Sequence, residues 1–452
     1  MEMQRFVLLM ATVMFALGAV GCEATGSQES KKKSTLKVLY YNEDAYYENF
    51  GTLFAAQHPN IEVEVVPTTG ISPKDMDSYI KQKKPDVLIL DQSHVFEQYA
   101  QDGLLFDLDP LIKRDKFNVE GIVPAVLSTV KAMGGGTLYG LAPHFSSQAL
   151  YYNKTLFDKE GIPYPKNRMS WEETMQLAQR FSVGKGDSKD RTAGIMLGFY
   201  DVHPYNAGLE IGRNMGLASV DQDTMKMVMD TSEWKKVYQL AFGAMKSGVL
   251  YSGEVPNTSS TDASAVLKQH PFIGGKTAMA LGHSDFLKEL KRAQDVLKEQ
   301  MPVWDIVTVP VDPNKPDVGN NIWINSITAI AANAENVEDA WKFVSYLNGD
   351  TYAIATSKVW RYGAMPSRTA YLKDMEGHSL EAFYALRPDP DGPKEGGKIP
   401  QSFYMPYEAL AKKELQDAYD GRRSISEALK NIQQQGQVIL DQSIAAEKDK
   451  TN

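Results

Sequence analysis

Cysteine is nearly absent from this sequence: Cys22 is the one cysteine among 452 residues. A single thiol excludes a disulfide framework and a cysteine-based metal site within the chain. An excess of positive charge is absent too, because 57 acidic residues against 48 basic ones give a net charge of −9. Nucleic-acid binding needs a concentrated basic face. The densest basic cluster, residues 31–33, is short, and we interpret it as part of a solvated linker.

Recognisable catalytic motifs are also lacking. Residues 282–286 (GHSDF) have no closing glycine for a nucleophile elbow, and the seven histidines show no HExxH spacing. Residues 389–392 lack the ligand ladder of a calcium-binding loop. We therefore predict no metal, no cofactor and no enzyme activity. A secreted glycosidase stays open as an alternative, because its carboxylate pair is recognised by distance and not by a sequence pattern.

The one long apolar run lies near the N-terminus, at residues 6–21. At 1.5 Å per residue an α-helix of this length reaches about 24 Å, which is shorter than the roughly 30 Å hydrocarbon core of a bilayer. The run therefore predicts a signal peptide over residues 1–21 and not a permanent membrane span.

The end of this run, residues 17–22 (LGAVGC), resembles the lipobox of bacterial lipoproteins, with Ala19 where those proteins favour leucine. The resemblance implies cleavage before Cys22 and diacylation of its thiol, and two acyl chains suffice for stable anchoring. The alternative is an ordinary secreted protein with a free thiol. Residues 22–34 are polar and lack periodicity, which predicts a flexible linker holding the folded chain at the extracytoplasmic face of the cell membrane.

Strand and helix patterns alternate in the first part of the folded chain. Strands are predicted at residues 35–41, 61–66 and 85–90, and helices at residues 46–58, 74–83 and 95–101. Residues 87–90 are continuously apolar, as in a central parallel strand. Asp91 and Gln92 follow at the carboxyl end of that strand, where open α/β sheets bind their ligands. These two side chains are therefore candidates for a binding site.

Residues 136–171 have the pattern expected where a chain leaves one packed body and enters another. A predicted strand at residues 137–141 is followed by an irregular stretch at 142–147, a strand at 148–153 and a helix at 154–160 that stops at Gly161. Ser170 and Glu173 have the spacing of a capping box, which predicts the start of the next helix. Ligands usually bind at such junctions.

Several fragments, taken in their order and spacing, resemble the family 1 extracellular solute-binding proteins, the sugar-binding lipoproteins of bacterial ABC importers. The similarity covers residues 36–440, which is nearly the whole mature chain. The fragments that carry it are residues 84–90 (KPDVLIL), 99–111 (YAQDGLLFDLDPL), 138–143 (LYGLAP), 150–157 (LYYNKTLF), 161–163 (GIP), 170–173 (SWEE), 272–281 (FIGGKTAMAL), 336–343 (NVEDAWKF) and 361–368 (RYGAMPSR).

The resemblance implies an α/β fold with two lobes, of the type II periplasmic-binding-protein kind. Each lobe is expected to be a mostly parallel sheet flanked by helices, with the ligand cleft between the lobes. We assign residues 35–142 and about 308–360 to lobe I, residues about 143–307 and 361–445 to lobe II, and residues 446–452 to a polar tail. Two or three crossing segments join the lobes, and ligand binding closes them by hinge motion.

The candidate ligand-binding residues are aromatic or polar and lie at predicted strand ends, loops or crossings. Sugars stack on aromatic rings and hydrogen-bond to carboxylates, amides and guanidinium groups. An alternative stays open for two candidates: His144 as a structural hinge residue, and Trp323 as a packed hinge residue instead of a cleft wall. The candidates are Tyr41, Asn42, Glu43, Asp91, Gln92, His144, Ser147, Tyr205, Ser284, Asp285, Trp323, Trp360, Arg361, Phe403 and Tyr404.

The resemblance implies a lipid-anchored receptor that captures a carbohydrate, an oligosaccharide or sugar derivative, and delivers it to membrane permease subunits served by a cytoplasmic ATPase. We expect a monomer that contacts the membrane through its lipid anchor and binds no nucleic acid. The first alternative is a receptor for a non-sugar solute, such as a peptide or polyamine. An acidic cleft would favour a cation. The glycosidase is the remote alternative.

Overall fold

The computed structural model describes residues 33–182, 192–198, 203–253, 261–357, 363–389 except 373 and 376, 392, and 399–451. The predicted signal peptide, Cys22, and the candidates Trp360 and Arg361 lie outside the described residues. The strands are β1 (Ser34–Tyr40), β2 (Ile61–Pro67), β3 (Val87–Leu90), β4 (Gly140–Leu141), β5 (His144–Asn153), β6 (Ala193–Met196), β7 (Val220–Asp221), β8 (Lys226–Met227), β9 (Thr277–His283), β10 (Trp304–Thr308), β11 (Ile322–Ile324), β12 (Ile327–Ile330) and β13 (Met365–Pro366).

Helices cover both sheets and account for most of the remaining described chain. A π-helical turn, Tyr47–Gly51, joins the first two of them. The helices are α1 (Glu43–Tyr46), α2 (Thr52–Gln57), α3 (Met76–Lys83), α4 (Ser93–Gln101), α5 (Asp109–Asp115), α6 (Pro124–Met133), α7 (Lys154–Glu160), α8 (Trp171–Ser182), α9 (Pro204–Asn214), α10 (Ser232–Lys246), α11 (Ala263–Gln269), α12 (Phe286–Leu297), α13 (Val337–Leu347), α14 (Asp350–Ser357), α15 (Gln401–Tyr419) and α16 (Ile425–Thr451).

The first sheet has five strands in the order β2-β1-β3-β12-β4. β1 runs parallel to β2 and β3, whereas β12 runs antiparallel to β3 and β4. All four residues of β3 are buried, and so are Leu36 and Val38 of β1. This is the pattern of central strands with helices on both faces, and it confirms the predicted α/β character of the first lobe.

The second sheet has the order β10-β5-β9-β6. β9 runs parallel to β6, but β5 runs antiparallel to both β9 and β10. Three of the four strands thus run in one direction and β5 runs against them, as β12 does in the first sheet. The reason is the chain path: β5 enters this lobe at the edge where β6 and β9 end, so it must run in the opposite direction.

β5 joins the two lobes. Its first residues pair with β11 and β13, and its later residues pair with β9 and β10. The irregular stretch predicted at residues 142–147 is therefore wrong from His144 onward, and the strand predicted at residues 137–141 is reduced to β4. The partners of residues 144–147 come from segments far later in the chain, so the local pattern contained no sign of this pairing.

Within the described residues, three segments cross between the lobes around β5: residues 142–143, the chain from β10 through β11 to β12, and the chain that includes β13. Residues 367–369 return to the first lobe, since the Val123 amide donates to the Ser367 carbonyl at 2.8 Å and Thr369 Oγ1 donates to the Gly121 carbonyl at 3.1 Å. The predicted start of lobe II at residue 361 stays a prediction.

The predicted helix starts are confirmed where local chemistry sets them. Ser170 and Glu173 form a reciprocal capping box before α8: the Ser170 amide donates to Glu173 Oε2 at 2.8 Å, and the Glu173 amide donates to Ser170 Oγ at 3.1 Å. Asn336 caps α13 in a similar way, accepting from the Asp339 amide. Gly161 ends α7 with φ +62°, a left-handed conformation that favours glycine.

The segment predicted as a polar tail, residues 446–452, is helical as far as Thr451, where α16 ends. The last residues, AAEKDKT, are mostly good helix formers and contain neither proline nor glycine. A polar sequence without a helix breaker continues a helix that has already been nucleated, since each added residue makes one further backbone hydrogen bond.

Candidate ligand-binding site

The first edge of the site lies at the carboxyl ends of β1 and β3, which run parallel and so end at the same edge of the sheet. Tyr41 and Asn42 follow β1, and Asp91 and Gln92 follow β3. The Tyr41 residue is 55% exposed, which is unusual for a large aromatic side chain next to a buried strand. Asn42 accepts a hydrogen bond from the Ala45 amide at 2.8 Å, so its carbonyl oxygen caps α1.

Asp91 has the most distinctive chemistry on this edge. Burial of its carboxyl group raises the pKa to about 6, and its charge in turn helps raise the pKa of Tyr40, for which burial is the larger cause. Within the described part of the chain, the Asp91 carboxylate makes no hydrogen bond or ion pair. An acceptor-only group that is partly desolvated and lacks a protein partner is suited to bind a ligand hydroxyl or amine. Gln92 and Glu43 beside it are exposed.

The second edge lies at the start of β5 and the end of β9, where Gln148 pairs with His283. Ser147 and Ser284 meet here, since the Ser284 amide donates to the Ser147 carbonyl at 2.7 Å. Both serines are almost completely buried. Their hydroxyls are used within the protein: Ser147 Oγ donates to the Phe383 carbonyl at 2.6 Å, and Ser284 Oγ donates to the Gly363 carbonyl at 2.7 Å. These two candidates therefore hold the hinge, while Asp285, next in the chain, is exposed.

Gly363 explains how the third crossing reaches this edge. Its φ is +73°, and a β-carbon added there would lie 2.4 Å from the Asp285 α-carbon. The third crossing thus packs against the chain just before α12, at a distance that only glycine permits.

Trp323 lies on the second crossing, where it pairs with Ser146 of β5. Its ring is partly exposed and lies with its centroid 4.9 Å from that of His283, at an interplanar angle of 48°. Beside it, Asn325 and Ser146 bond to one another through their side chains at 2.9 Å. An aromatic ring with polar neighbours is the combination that sugar binding uses, so Trp323 stays a candidate for the wall of the cleft.

His144 lies inside the hinge. Its Nε2 is 3.1 Å from Thr356 Oγ1, and its ring lies against Tyr352. Burial lowers the pKa of His144 to about 4, so the ring is neutral at physiological pH. These contacts join β5 to α14 and favour the structural alternative for this residue.

The aromatic candidates of the second lobe divide into core and surface. Phe403 is 1% exposed and stacks on Tyr407 with centroids 4.8 Å apart. Tyr205 is also buried, which raises its pKa to about 12. The positions of these two rings do not support ligand contact, because both pack in the core of the second lobe. Tyr404, one residue further along α15, is 42% exposed and remains available.

The structure also brings together polar residues that the sequence did not single out. Gln148 Nε2 donates to Glu210 Oε1 at 2.9 Å, and Asn214 Nδ2 donates to the Glu210 carbonyl at 3.0 Å. Glu210 and Asn214 are one helical turn apart on α9, and Gln148 is on β5. In the sequence, a carboxylate and an amide spaced by one turn look like the solvated face of an amphipathic helix. No local sequence pattern therefore distinguishes Glu210 and Asn214 as part of a polar cluster.

Asn321 is a further residue that the sequence did not single out. It is completely buried, and its Nδ2 lies within hydrogen-bond distance of Ser147 Oγ at 3.0 Å, the Gln148 carbonyl at 3.0 Å and the Phe383 carbonyl at 3.2 Å. One side chain thus connects the second crossing to β5 and to the Phe383 carbonyl.

Among the described residues, no three histidine, cysteine, aspartate or glutamate side chains lie close enough together to hold a metal ion. None of the helices in that part of the chain combines the length and the apolar character that crossing a membrane requires.

Comparison with known proteins decides the family. The model of a family described as bacterial extracellular solute-binding protein matches residues 40–354, which is more than half of the chain. This chain belongs to that family. Its members bind substrates for ABC transporters and are not classed as enzymes.

Solved structures support the fold of this solute-binding protein. An extracellular solute-binding protein family 1 member from Alicyclobacillus acidocaldarius is similar, with a TM-score of 0.64, 17% identity, and coverage of 91% of this chain and 100% of that chain. The sugar-binding protein MalE from Xanthomonas citri has a TM-score of 0.63 and 20% identity, with coverage of 90% and 98%.

A sugar transporter from Rhizobium etli in an open conformation is also similar, with a TM-score of 0.61, 20% identity, and coverage of 89% of this chain and 98% of that chain. At such identities the likeness shows the fold alone. The fold is the predicted one: two α/β lobes joined by crossing segments.

Proposed function

We propose that this solute-binding protein captures a carbohydrate, an oligosaccharide or sugar derivative, in the cleft between its lobes and delivers it to the membrane subunits of an ABC importer. The observation that carries the proposal is the first-lobe edge. There the Asp91 carboxylate and the Gln92 amide follow β3, and the exposed Tyr41 ring follows β1. Carboxylate, amide and aromatic face are the groups that bind sugar hydroxyls and the apolar faces of sugar rings.

Trp323 adds a second aromatic surface from the second crossing, where its ring lies against that of His283. The similar proteins from Xanthomonas citri and Rhizobium etli are described as sugar-binding and sugar-transporting, which supports the same ligand class. Closure of the lobes would bring the two edges together around the ligand and exclude water from its hydroxyl groups.

A thermal-shift screen against a carbohydrate panel tests the proposal. Binding to the folded state alone raises the melting temperature, because the ligand stabilises by RT ln(1 + [L]/Kd). We expect at least one carbohydrate to raise the melting temperature, and calorimetry to show saturable binding without turnover. Hydrolysis of a bound glycan would contradict a receptor and restore the glycosidase alternative.

A cationic solute is the second candidate, and the acidic character of the same region favours it. Glu43, Asp91 and Asp285 are exposed at the two edges of the cleft. A polyamine or basic peptide would pair with these carboxylates more strongly at low ionic strength, because salt screens exposed charges. A screen in which amines raise the melting temperature and carbohydrates do not would decide for this candidate.

We further propose that Cys22 carries the lipid anchor and that residues 22–34 hold the folded chain at the outer face of the cell membrane. The support is the lipobox-like segment before Cys22 and the polar segment after it. The Cys22→Ser variant is expected to leave the membrane fraction for the soluble one, as two acyl chains account for stable anchoring. Equal membrane retention of both forms would contradict the anchor.

Permease and ATPase partners follow from the same proposal, and co-purification after crosslinking in membranes would test them.

A further inference from the structure

One face of β5 leaves the core of the second lobe as the strand approaches the hinge. Successive side chains of a strand point to opposite faces, so Ser146, Gln148 and Leu150 share one face. The other face is covered, because Ser147 and Tyr151 are buried and the Tyr151 ring lies against four aromatic rings. On the first face Leu150 belongs to the second-lobe core, but Ser146 is partly exposed. We call the face that carries Ser146 and Gln148 the open face.

Two aromatic rings lie on the open face. Trp323 of β11 pairs with Ser146, and His283 of β9 pairs with Gln148. Residues that pair directly across a sheet point to the same face. The rings of Trp323 and His283 do meet, with centroids 4.9 Å apart, although their partners on β5 are two residues or about 7 Å apart. The open face therefore has an aromatic surface that is partly accessible to a solute.

A carboxylate is held beside this surface. Gln148 Nε2 donates to Glu210 Oε1 at 2.9 Å, and Gln148 Oε1 accepts from Asn214 Nδ2 at 3.3 Å. Gln148 and Asn214 are buried, whereas Glu210 is partly exposed. Within the described part of the chain, Glu210 Oε2 makes no hydrogen bond or ion pair. Buried amides thus fix one carboxylate oxygen and leave the other, which can only accept, for a group outside the protein.

The end of α9 lies against the crossing that carries Trp323. Gly216 follows α9 with φ +75°, and a β-carbon added there would lie 2.8 Å from Asn320 Nδ2. Glycine permits both the left-handed conformation and this close approach. Asn320 is three residues before Trp323, so α9 brings Glu210 to the same crossing from a second direction, independently of the bond to β5.

We propose that Glu210 is the solute-binding carboxylate of the second lobe. It accepts hydrogen bonds from the hydroxyl groups of a sugar ring that stacks on Trp323, and Gln148 is a positioning residue that holds it there. The inference rests on the proposed carbohydrate binding and names the residues of the second lobe that carry it. Sugar rings stack on aromatic faces, and hydrogen bonds from hydroxyl groups to a carboxylate are stronger than those to a neutral acceptor.

Calorimetric titration tests the role of Glu210, with maltotriose, cellotriose, xylotriose and mannotriose as the probes. The protein carries Cys22→Ser throughout. We expect at least one trisaccharide to bind to the parent and Glu210→Gln, which keeps the shape of the side chain, to raise its dissociation constant by about tenfold. Glu172→Gln is the matched control, because Glu172 is an exposed carboxylate on α8 of the same lobe. Its dissociation constant is expected to equal that of the parent.

A double-mutant cycle tests the positioning role of Gln148. Gln148→Met has a similar size but cannot donate to Glu210, and we expect it to raise the dissociation constant by about fivefold. In Gln148→Met combined with Glu210→Gln, we expect no further loss beyond that of Glu210→Gln alone, because the first change acts through the carboxylate. Losses that multiply in the double variant would show that Gln148 acts on the fold and not through Glu210.

The outcomes separate this inference from the carbohydrate proposal. A trisaccharide that binds equally well to the parent and to Glu210→Gln overturns the role of Glu210 and leaves the carbohydrate proposal standing. If none of the four binds to the parent and spermidine does, both fail. The melting temperature of each free variant is measured alongside, and Glu210→Gln is expected to melt as the parent does, so that its lower affinity is not a loss of folded protein.

Discussion

The first-lobe edge and the hinge use the same kinds of polar side chain in opposite ways. At the edge, Asp91 and Gln92 are exposed, and the Asp91 carboxylate makes no bond within the described part of the chain. At the hinge, Ser147, Ser284 and Asn321 are buried and bond to backbone carbonyls or to one another. A polar group without a protein partner can bond to a ligand, whereas a buried and paired one fixes geometry. The comparison therefore separates residues that are available for binding from residues that position them.

The largest expected effect is at the hinge. Asn321→Ala removes an amide that contacts three acceptors and leaves buried carbonyl groups with fewer donors. We expect a loss of about 3 kcal/mol in the free energy of unfolding, measured by urea denaturation. The control is Asn325→Ala, an exposed amide on the same crossing, which is expected to change stability by less than about 0.5 kcal/mol. Equal losses in both variants would remove the distinction between hinge and edge.

Ligand affinity, in contrast to stability, is expected to depend most on the first-lobe edge. Asp91→Asn keeps the shape of the side chain but removes its charge, so a charge-assisted hydrogen bond to the ligand becomes a neutral one. We expect the dissociation constant of the carbohydrate found by the screen to rise by about 30-fold, or about 2 kcal/mol, in calorimetric titration. Asp102→Asn, an exposed change on the same lobe, is expected to leave it unchanged. An unaltered dissociation constant in Asp91→Asn would place the ligand elsewhere.

Protonation of His144 is expected to make the free energy of unfolding depend on pH. Its pKa is lowered to about 4 in the folded state, below the ordinary 6.5, so the unfolded chain binds more protons between these values. The contribution of the neutral His144 ring to the free energy of unfolding is therefore fully present above pH 6.5 and is lost as the pH falls toward 4. We expect urea denaturation to show a loss of about 1 to 2 kcal/mol between pH 7.5 and pH 5 that His144→Gln lacks. Parallel pH profiles for the two proteins would argue against a buried neutral ring.

Asp91 is expected to have the smallest effect on the free energy of unfolding. The pH dependence that it causes is opposite in sign to that of His144. Its folded-state pKa of about 6 is above its ordinary value, so the folded chain binds more protons between pH 4 and 6 and stability falls as the pH rises through this window. Asp91→Asn is expected to gain about 1 kcal/mol at pH 7, a value reduced because solvent screens this exposed group, and nothing at pH 3.5. A melting temperature that is unchanged at pH 7 would show that the carboxylate is not desolvated.

Local chemistry explains what the sequence predicted well. The Ser170 and Glu173 capping box, the glycine stop at Gly161 and the buried strand before Asp91 all depend on residues within a few positions of one another. The first-lobe edge could be located for the same reason, since parallel strands end at one edge of a sheet and Asp91 directly follows such a strand.

The hinge could not be predicted because its contacts join distant parts of the chain. Asn321 bonds to Ser147 and to the Phe383 carbonyl, and no local pattern relates these three positions. The orientation of the Phe403 ring could not be predicted for a related reason. Phe403 and Tyr404 were both candidates, but α15 turns Phe403 and Tyr407 into the core and leaves Tyr404 exposed. The face of a helix that is buried depends on the neighbouring helices, not on its own residues alone.

The most direct test of the carbohydrate receptor is calorimetric titration of the parent protein and Asp91→Asn, side by side, with the carbohydrates that raise the melting temperature. We expect saturable binding of one ligand per chain in the parent and binding weakened by about 30-fold in Asp91→Asn, with no hydrolysis of the carbohydrate. Carbohydrate binding of equal strength in both proteins, or heat released only by amines, would contradict it.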